Sequence, residues 1–237
     1  MLEDAGGRRL GRFIQSERRA ELFTLEGDVE PAVNAIRSEL AGWCVISDEP
    51  FARVLLAGGG RLSRHSHLLS RDLRVEPATQ APPLPHGLTL TPADRAPADL
   101  VPAFRDAFPP EHVDGPARIG KDLQRELAYV LERGVAGPVL PCSRLAVDAE
   151  GNVHAAAIVT RLDGEPPFGG PWLAECFRDR DPRYAGAGRA LLEHMLVRAT
   201  RDGLPTIGLA VTHGNRAREL YLELGFREFF TALSVDL

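Results

Sequence analysis

The chain has 237 residues and a net charge of −5 at neutral pH, with 44% hydrophobic, 26% charged and 6% aromatic residues. This composition is typical of a folded protein with one large or two small domains, and it excludes wholesale disorder. Without a basic excess we expect no nucleic-acid partner, and the short apolar runs predict no membrane partner. Three widely spaced cysteines and the absence of an apolar leader favour the cytoplasm.

Four elements are predicted in the first third of the chain, in the order α-β-α-β. Apolar residues recur at helical spacing over 31–41 and 50–58, and a strand pattern follows each helix, at 43–47 and 65–73. The next stretch, residues 74–86, is rich in proline and lacks any periodic pattern. We expect it to be an extended linker.

The remaining residues, 87–237, carry a longer set of alternating patterns. They predict the order β-α-α-β-β-β-α-β-α-β, which indicates a mixed sheet covered by helices. The best-defined helix has an apolar face formed by Leu191, Leu192, Met195, Leu196 and Ala199. Gly225 follows the last helix, at the position where a glycine commonly ends one.

The first third of the chain is similar to the last in element order and in several residues. At one constant offset, Leu55 matches Leu220 and Gly60 matches Gly225. We therefore predict that residues 1–73 are a degenerate half-copy of the C-terminal unit. The copy is expected to be inactive, because no glycine-rich turn precedes its first helix.

That glycine-rich turn is the most informative segment of the chain. It lies between a predicted strand and the amphipathic helix, and its sequence is Arg183-Tyr184-Ala185-Gly186-Ala187-Gly188-Arg189. Small residues let the backbone approach a ligand, and the unpaired N–H groups that begin a helix bind anions such as a pyrophosphate. No Gly-Lys-Ser/Thr is present, which excludes a Walker-type site, and the turn does not open the β-α-β unit of a dinucleotide fold.

Together with a second motif, the turn resembles the GNAT superfamily of N-acetyltransferases. Arg-x-x-Gly-x-Gly at 183–188 is followed by Asn-x-Ala-x-x-Leu-Tyr-x-x-x-Gly-Phe at 215–226. The resemblance covers residues 87–237 and implies a GNAT-type, mainly antiparallel mixed sheet flanked by helices. It also implies a catalytic domain there, which moves an acetyl group from acetyl-CoA to a primary amine of a small molecule or peptide by direct attack on the thioester.

The resemblance also implies which residues act. For binding acetyl-CoA it implies Phe177, Arg178, Arg183, Tyr184, Ala185, Gly186, Ala187, Gly188, Arg189 and Asn215. Tyr221 matches the family tyrosine that protonates the leaving thiolate. An amine nucleophile must first lose its proton, and Glu175 is the expected base, with His154 and His213 as alternatives.

Several alternatives accompany this interpretation. Cys176 as a covalent nucleophile lacks a legible His-Asp partner, so we expect a buried strand cysteine. His65 and His67 share a strand face, but two ligands make no metal site, and no metal is expected. A non-catalytic acyl-CoA sensor or interaction module is the alternative function. The half-domain is expected to pack on the catalytic domain or to support a homodimer.

The acceptor cannot be identified from the sequence, but its pocket is expected at the end of the first helix and in two turn-rich segments. These are residues 101–120 and the loop Phe168–Trp172, with Phe108 as a further apolar wall. The net negative charge of the chain favours a cationic amine through long-range attraction.

Overall fold

The computed structural model describes residues 1–3, 7–16, 18–85, 87–132 and 137–237. Within these ranges, no helix is both long and apolar enough to cross a membrane. The predicted linker and half-domain each include residues outside the ranges. Contacts divide the chain into two compact units, one of Met1–Leu68 with Glu228–Leu237 and the other of Leu69–Arg227.

The described part of the chain forms strands and α-helices in a mixed order. In order they are β1 (Leu2–Glu3), β2 (Arg9–Ser16), β3 (Arg19–Leu25), α1 (Val29–Glu39), β4 (Cys44–Asp48), α2 (Glu49–Ala57), β5 (Arg61–Asp72), β6 (Thr89–Pro92), α3 (Pro97–Ala107), α4 (Leu123–Leu131), β7 (Arg144–Val147), β8 (Val153–Leu162), β9 (Gly170–Arg178), α5 (Ala187–Arg201), β10 (Thr206–Thr212), α6 (Ala217–Glu223) and β11 (Arg227–Asp236). Residues 74–85 contain no helix or strand, as the proline-rich sequence predicts.

The first unit has the strand order β1-β2-β3-β4-β11-β5. Strands β3 and β4 run parallel, whereas β4 pairs antiparallel with β11, the last strand of the chain. The predicted α-β-α-β order of α1, β4, α2 and β5 is confirmed, while β1 to β3 are additions that the sequence patterns did not predict. That this unit is a half-copy of the C-terminal one stays a prediction.

The second unit has the strand order β10-β9-β8-β7-β6, with β6 to β9 antiparallel and β9 parallel to β10. From β6 to β11 the chain follows the predicted order of ten elements. The predicted fold class, a mixed and mainly antiparallel sheet flanked by helices, is therefore confirmed.

Each face of the second unit's sheet is covered by its own pair of helices. Buried residues of α5 and α6, among them Leu191, Leu196 and Tyr221, form one core with the first face. Helices α3 and α4 cover the other face with Leu100, Phe104 and Leu127 among the buried residues. A side chain of β9 therefore belongs either to the α5–α6 face or to the α3–α4 face.

Candidate active site

The site begins where strand β9 separates from β10. Among the described residues the two strands are in register only where Gly208 lies opposite Trp172. A Cβ at Gly208 would lie 2.4 Å from the Trp172 ring, so close approach needs a glycine there. Closer to Arg178, no described residue of β10 pairs with this edge of β9. The backbone groups along that edge can therefore bind a ligand.

A β-bulge in β9 decides which side chains face which helices. Opposite β8, Ile158 pairs with Glu175 but Val159 pairs with Leu173, so Ala174 is an extra residue. Leu173 packs with the α5–α6 core, and after the bulge this face is taken by Cys176. Glu175 consequently points with Phe177 toward α3 and α4.

The glycine turn connects the end of β9 to α5. Gly186 has φ +89° and caps α5 without any side-chain hydrogen bond. The N–H groups of Tyr184 and Ala185 donate to the carbonyls of Asp181 and Pro182, so they are engaged. The first helical N–H groups, beginning at Ala187, have no intrahelical acceptor and lie next to a left-handed glycine. This is a cradle that fits an anion.

No side chain obstructs that cradle. A Cβ built on Gly186 would meet nothing within 4 Å, and one built on Gly188 would meet only the side chain of Arg178, at 3.8 Å. The residues therefore fit the pyrophosphate of a CoA ester, which needs backbone N–H groups and room for close approach.

The charged side chains around the turn have partners within the chain. Arg183 donates to both carboxylate oxygens of Asp181, and Arg178 donates to the Asp181 carbonyl at 3.3 Å. Arg189 pairs with Glu223 on α6. The charges of Arg183 and Arg189 are thus each compensated by a carboxylate, whereas Arg178 donates to a backbone carbonyl.

The ring of Tyr184, at the start of the turn, packs against the imidazole of His154. The two rings lie 4.4 Å apart, and the imidazole is hydrogen-bonded to Asp179 at 2.5 Å and to Asp148 at 2.9 Å. Burial opposes protonation of His154, but its two carboxylate partners outweigh this and raise its pKa. Both ring nitrogens of His154 are therefore engaged with carboxylates.

Tyr221 lies on α6 beside β9. Its side chain is buried, its hydroxyl lies near the sulfur of Cys176, and its ring packs on Phe226 at 5.8 Å. Burial, with the nearby charges of Glu175 and Asp114, raises the Tyr221 pKa well above its usual range. The phenol therefore keeps its proton at neutral pH. Burial also raises the pKa of Cys176 to about 12, which leaves it a poor nucleophile.

Glu175 faces Arg118, which no sequence pattern indicated as a functional residue. Its carboxylate lies 3.7 Å from a guanidinium nitrogen of Arg118, on the segment between α3 and α4. Asp114, on the same segment, accepts hydrogen bonds from Thr212 at 2.6 Å and Asn215 at 3.1 Å. These contacts join residues that are far apart in the sequence, so no sequence pattern indicates them. The only sequence signal for this segment is the turn-rich composition of residues 101–120.

The remaining predicted residues occupy varied positions. The Phe177 side chain is buried against Phe104, at a ring distance of 5.0 Å, so only its backbone can serve a ligand. Asn215 also accepts a hydrogen bond from the Ala217 N–H at 2.9 Å and so orders the start of α6. His213 is exposed after β10, and His67 is hydrogen-bonded to Glu228 at 2.9 Å.

A cavity of about 250 Å³ lies between α3 and α4, next to Arg118. Phe108 lines it, as expected for the acceptor pocket, whereas Phe168 and Trp172 do not. Phe168 is 42% exposed, and Trp172 is held over Gly208. The Phe168–Trp172 loop does not line this cavity, and its expected contribution to the acceptor pocket stays a prediction.

Comparison with solved structures identifies the fold. The chain is similar to a GCN5-related N-acetyltransferase from Sphaerobacter thermophilus, with a TM-score of 0.59 and 21% identity over 84% of this chain and 62% of that one. It is also similar to a tandem GNAT protein from the clavulanic acid biosynthesis pathway, with a TM-score of 0.60 and 15% identity over 99% and 80% of the chains. The sequence itself matches no family model and no curated protein. The chain therefore has the GNAT fold.

Proposed function

We propose that the chain is an acetyl-CoA-dependent N-acetyltransferase whose acceptor is a primary amine of a small molecule or peptide. One observation carries this proposal: two positions of strand β9, two residues apart, lie next to the two other parts of the site. Cys176 lies near the Tyr221 hydroxyl, and a Cβ on Gly188 would lie 3.8 Å from the Arg178 side chain. A donor held at the turn would thus extend along β9 toward the tyrosine.

The turn would bind the donor's pyrophosphate through the N–H groups that begin α5. Arg178, Arg183 and Arg189 would be its side-chain partners, and β9 would offer backbone hydrogen bonds to the pantetheine arm. When bound, acetyl-CoA supplies an activated acyl group as a thioester. N–H groups on the open edge of β9 would stabilise the negative charge that forms on the carbonyl oxygen.

Two side chains would move the protons. Glu175 would accept a proton from the amine as its nitrogen bonds to the carbonyl carbon, and Tyr221 would give its proton to the sulfur as the carbon–sulfur bond breaks. The raised pKa of Tyr221 keeps that proton available at neutral pH. Because His154 is occupied by two carboxylates, it is the weaker candidate for the base.

The domain assignment belongs to the same proposal. Residues 87–237 would form the catalytic domain, and residues 74–86 would be the linker that precedes it. Residues 1–73 would be a degenerate half-domain that packs on the rest or forms a homodimer. The reaction needs no metal, and the cytoplasm supplies acetyl-CoA.

The experiment is an assay of acetyl transfer. The protein is incubated with acetyl-CoA and a mixture of primary amines, free thiol is followed, and acetylated products are identified by mass spectrometry. We expect amine-dependent thiol release that is lost in Gly188→Glu. Tight binding of acetyl-CoA without any acetylated amine would instead favour the acyl-CoA sensor, and no binding would favour an interaction module.

A further inference from the structure

The cavity between α3 and α4 has an unusual charge for a protein of net charge −5. Three of its eleven lining residues, Arg105, Arg118 and Lys121, are cationic, and none is acidic. Its apolar lining includes Phe104 and Phe108. The lining side chains themselves therefore carry only positive charge, although the net charge of the chain is negative.

Arg118 connects this cavity to the reaction centre. Its guanidinium lies over the ring of Phe108 at 4.1 Å and over Phe104 at 4.9 Å. Glu126 lies 3.3 Å from it and Glu175 lies 3.7 Å from it. The two carboxylates more than compensate its single positive charge, and its stacking on the two rings fixes its position. Arg118, which lines the cavity, therefore also contacts the side chain proposed as the base.

The charges of Arg105 and Lys121 are not compensated in this way. Both side chains are exposed, and among the described residues neither forms an ion pair with a carboxylate. Lys121 is also the only lysine in the chain. Two unbalanced cations at the edge of an apolar cavity attract an anionic group on a ligand whose body is apolar.

We propose that this cavity binds the acceptor through a carboxylate, so that the substrate is an apolar amine that also carries a carboxylate. Its apolar body would lie against Phe108, its carboxylate would be held by Arg105 and Lys121, and its amine would face Glu175. This inference rests on the proposed N-acetyltransferase function and names the class of its acceptor.

The test compares pairs of compounds that differ only in the carboxylate. Phenylalanine is paired with phenethylamine, and 6-aminohexanoate with hexylamine, so that both short and long spacings between amine and carboxylate are sampled. We expect kcat/KM to be at least about tenfold higher for the carboxylate member of one pair, as a charge-assisted hydrogen bond provides. Equal use of both members would overturn the inference while leaving the acetyltransferase function intact.

A binding measurement separates this inference from the function on which it rests. N-Acetylphenylalanine and N-acetylphenethylamine, which need no turnover, are titrated calorimetrically into the wild type, Lys121→Met, Arg105→Met, and the charge-preserving controls Lys121→Arg and Arg105→Lys. The same titrations use 6-acetamidohexanoate and N-acetylhexylamine. We expect a carboxylate to bind more tightly than its neutral partner, with this preference reduced in the methionine variants and kept in the controls.

Each outcome of the titrations decides the inference. Equal affinities within both pairs, no binding of either carboxylate, or an unchanged preference in both methionine variants would overturn it. A carboxylate preference without acetyl transfer to any amine would support the cavity assignment and contradict the proposed enzyme.

Discussion

Replacing Gly188 by glutamate should separate the stability of the fold from the binding of acetyl-CoA. A Cβ at this position meets only Arg178, at ordinary contact distance. Gly188 lies in the first turn of α5, where a residue other than glycine stabilises the helix by about 0.5–1 kcal/mol. A carboxylate near a helix N-terminus contributes about 0.3–1 kcal/mol more.

The variant should therefore melt higher than the wild type by a few degrees, since about 1 kcal/mol corresponds to roughly 2–4 °C in a protein of this size. It should also lose the response to acetyl-CoA, because the new carboxylate would lie where the pyrophosphate binds. The wild type at about 100 times its dissociation constant should gain about 2.7 kcal/mol from the ligand.

Thermal melts with and without acetyl-CoA provide the assay, and two variants serve as controls. Gly188→Gln keeps the bulk without the charge, and Gly186→Ala should destabilise the protein by about 1–2 kcal/mol because φ is +89° there. A Gly188→Glu protein that responds to acetyl-CoA like the wild type would refute the assignment of the turn. A strongly destabilised one would refute the open geometry at Gly188.

Three further predictions concern the side chains around the turn and the core. Tyr221→Phe should lower kcat by up to about 10²-fold with little change in KM, and an unchanged kcat would remove the phenol from the reaction. His154→Gln should destabilise the protein most below about pH 6, because a raised histidine pKa stabilises at low pH and the effect is lost as pH rises through it. Urea melts at several pH values would show this narrowing difference, and a difference that grows with pH would contradict it. Leu191→Ala, at a fully buried position on α5, should lower the free energy of unfolding by about 2–5 kcal/mol in the same melts.

Periodic patterns located most of the regular elements. The apolar face of α5 and the glycine after α6 are strong local signals, and Gly225 indeed has φ +83°. The additional strands β1 to β3 lack such signals, because β1 has two residues and β2 carries arginine and glycine among its apolar positions. Their pairing with neighbours, which sequence periodicity does not report, makes them strands.

The site was predictable where it depends on local backbone and not where it depends on tertiary contacts. The turn at Gly186 is one continuous segment, so the sequence alone predicts both a glycine-rich turn and its position before α5. Simple alternation would put Glu175 on the same face as Leu173, but the bulge at Ala174 reverses this. Arg118 approaches Glu175 only because the chain between α3 and α4 folds over β9.

The most direct test of the central claim is a crystal structure of the protein with CoA. We expect the pyrophosphate at the N–H groups of Ala187 to Arg189, the pantetheine arm along the open edge of β9, and the thiol within hydrogen-bond distance of the Tyr221 hydroxyl. CoA bound elsewhere, or a thiol directed away from Tyr221, would contradict it.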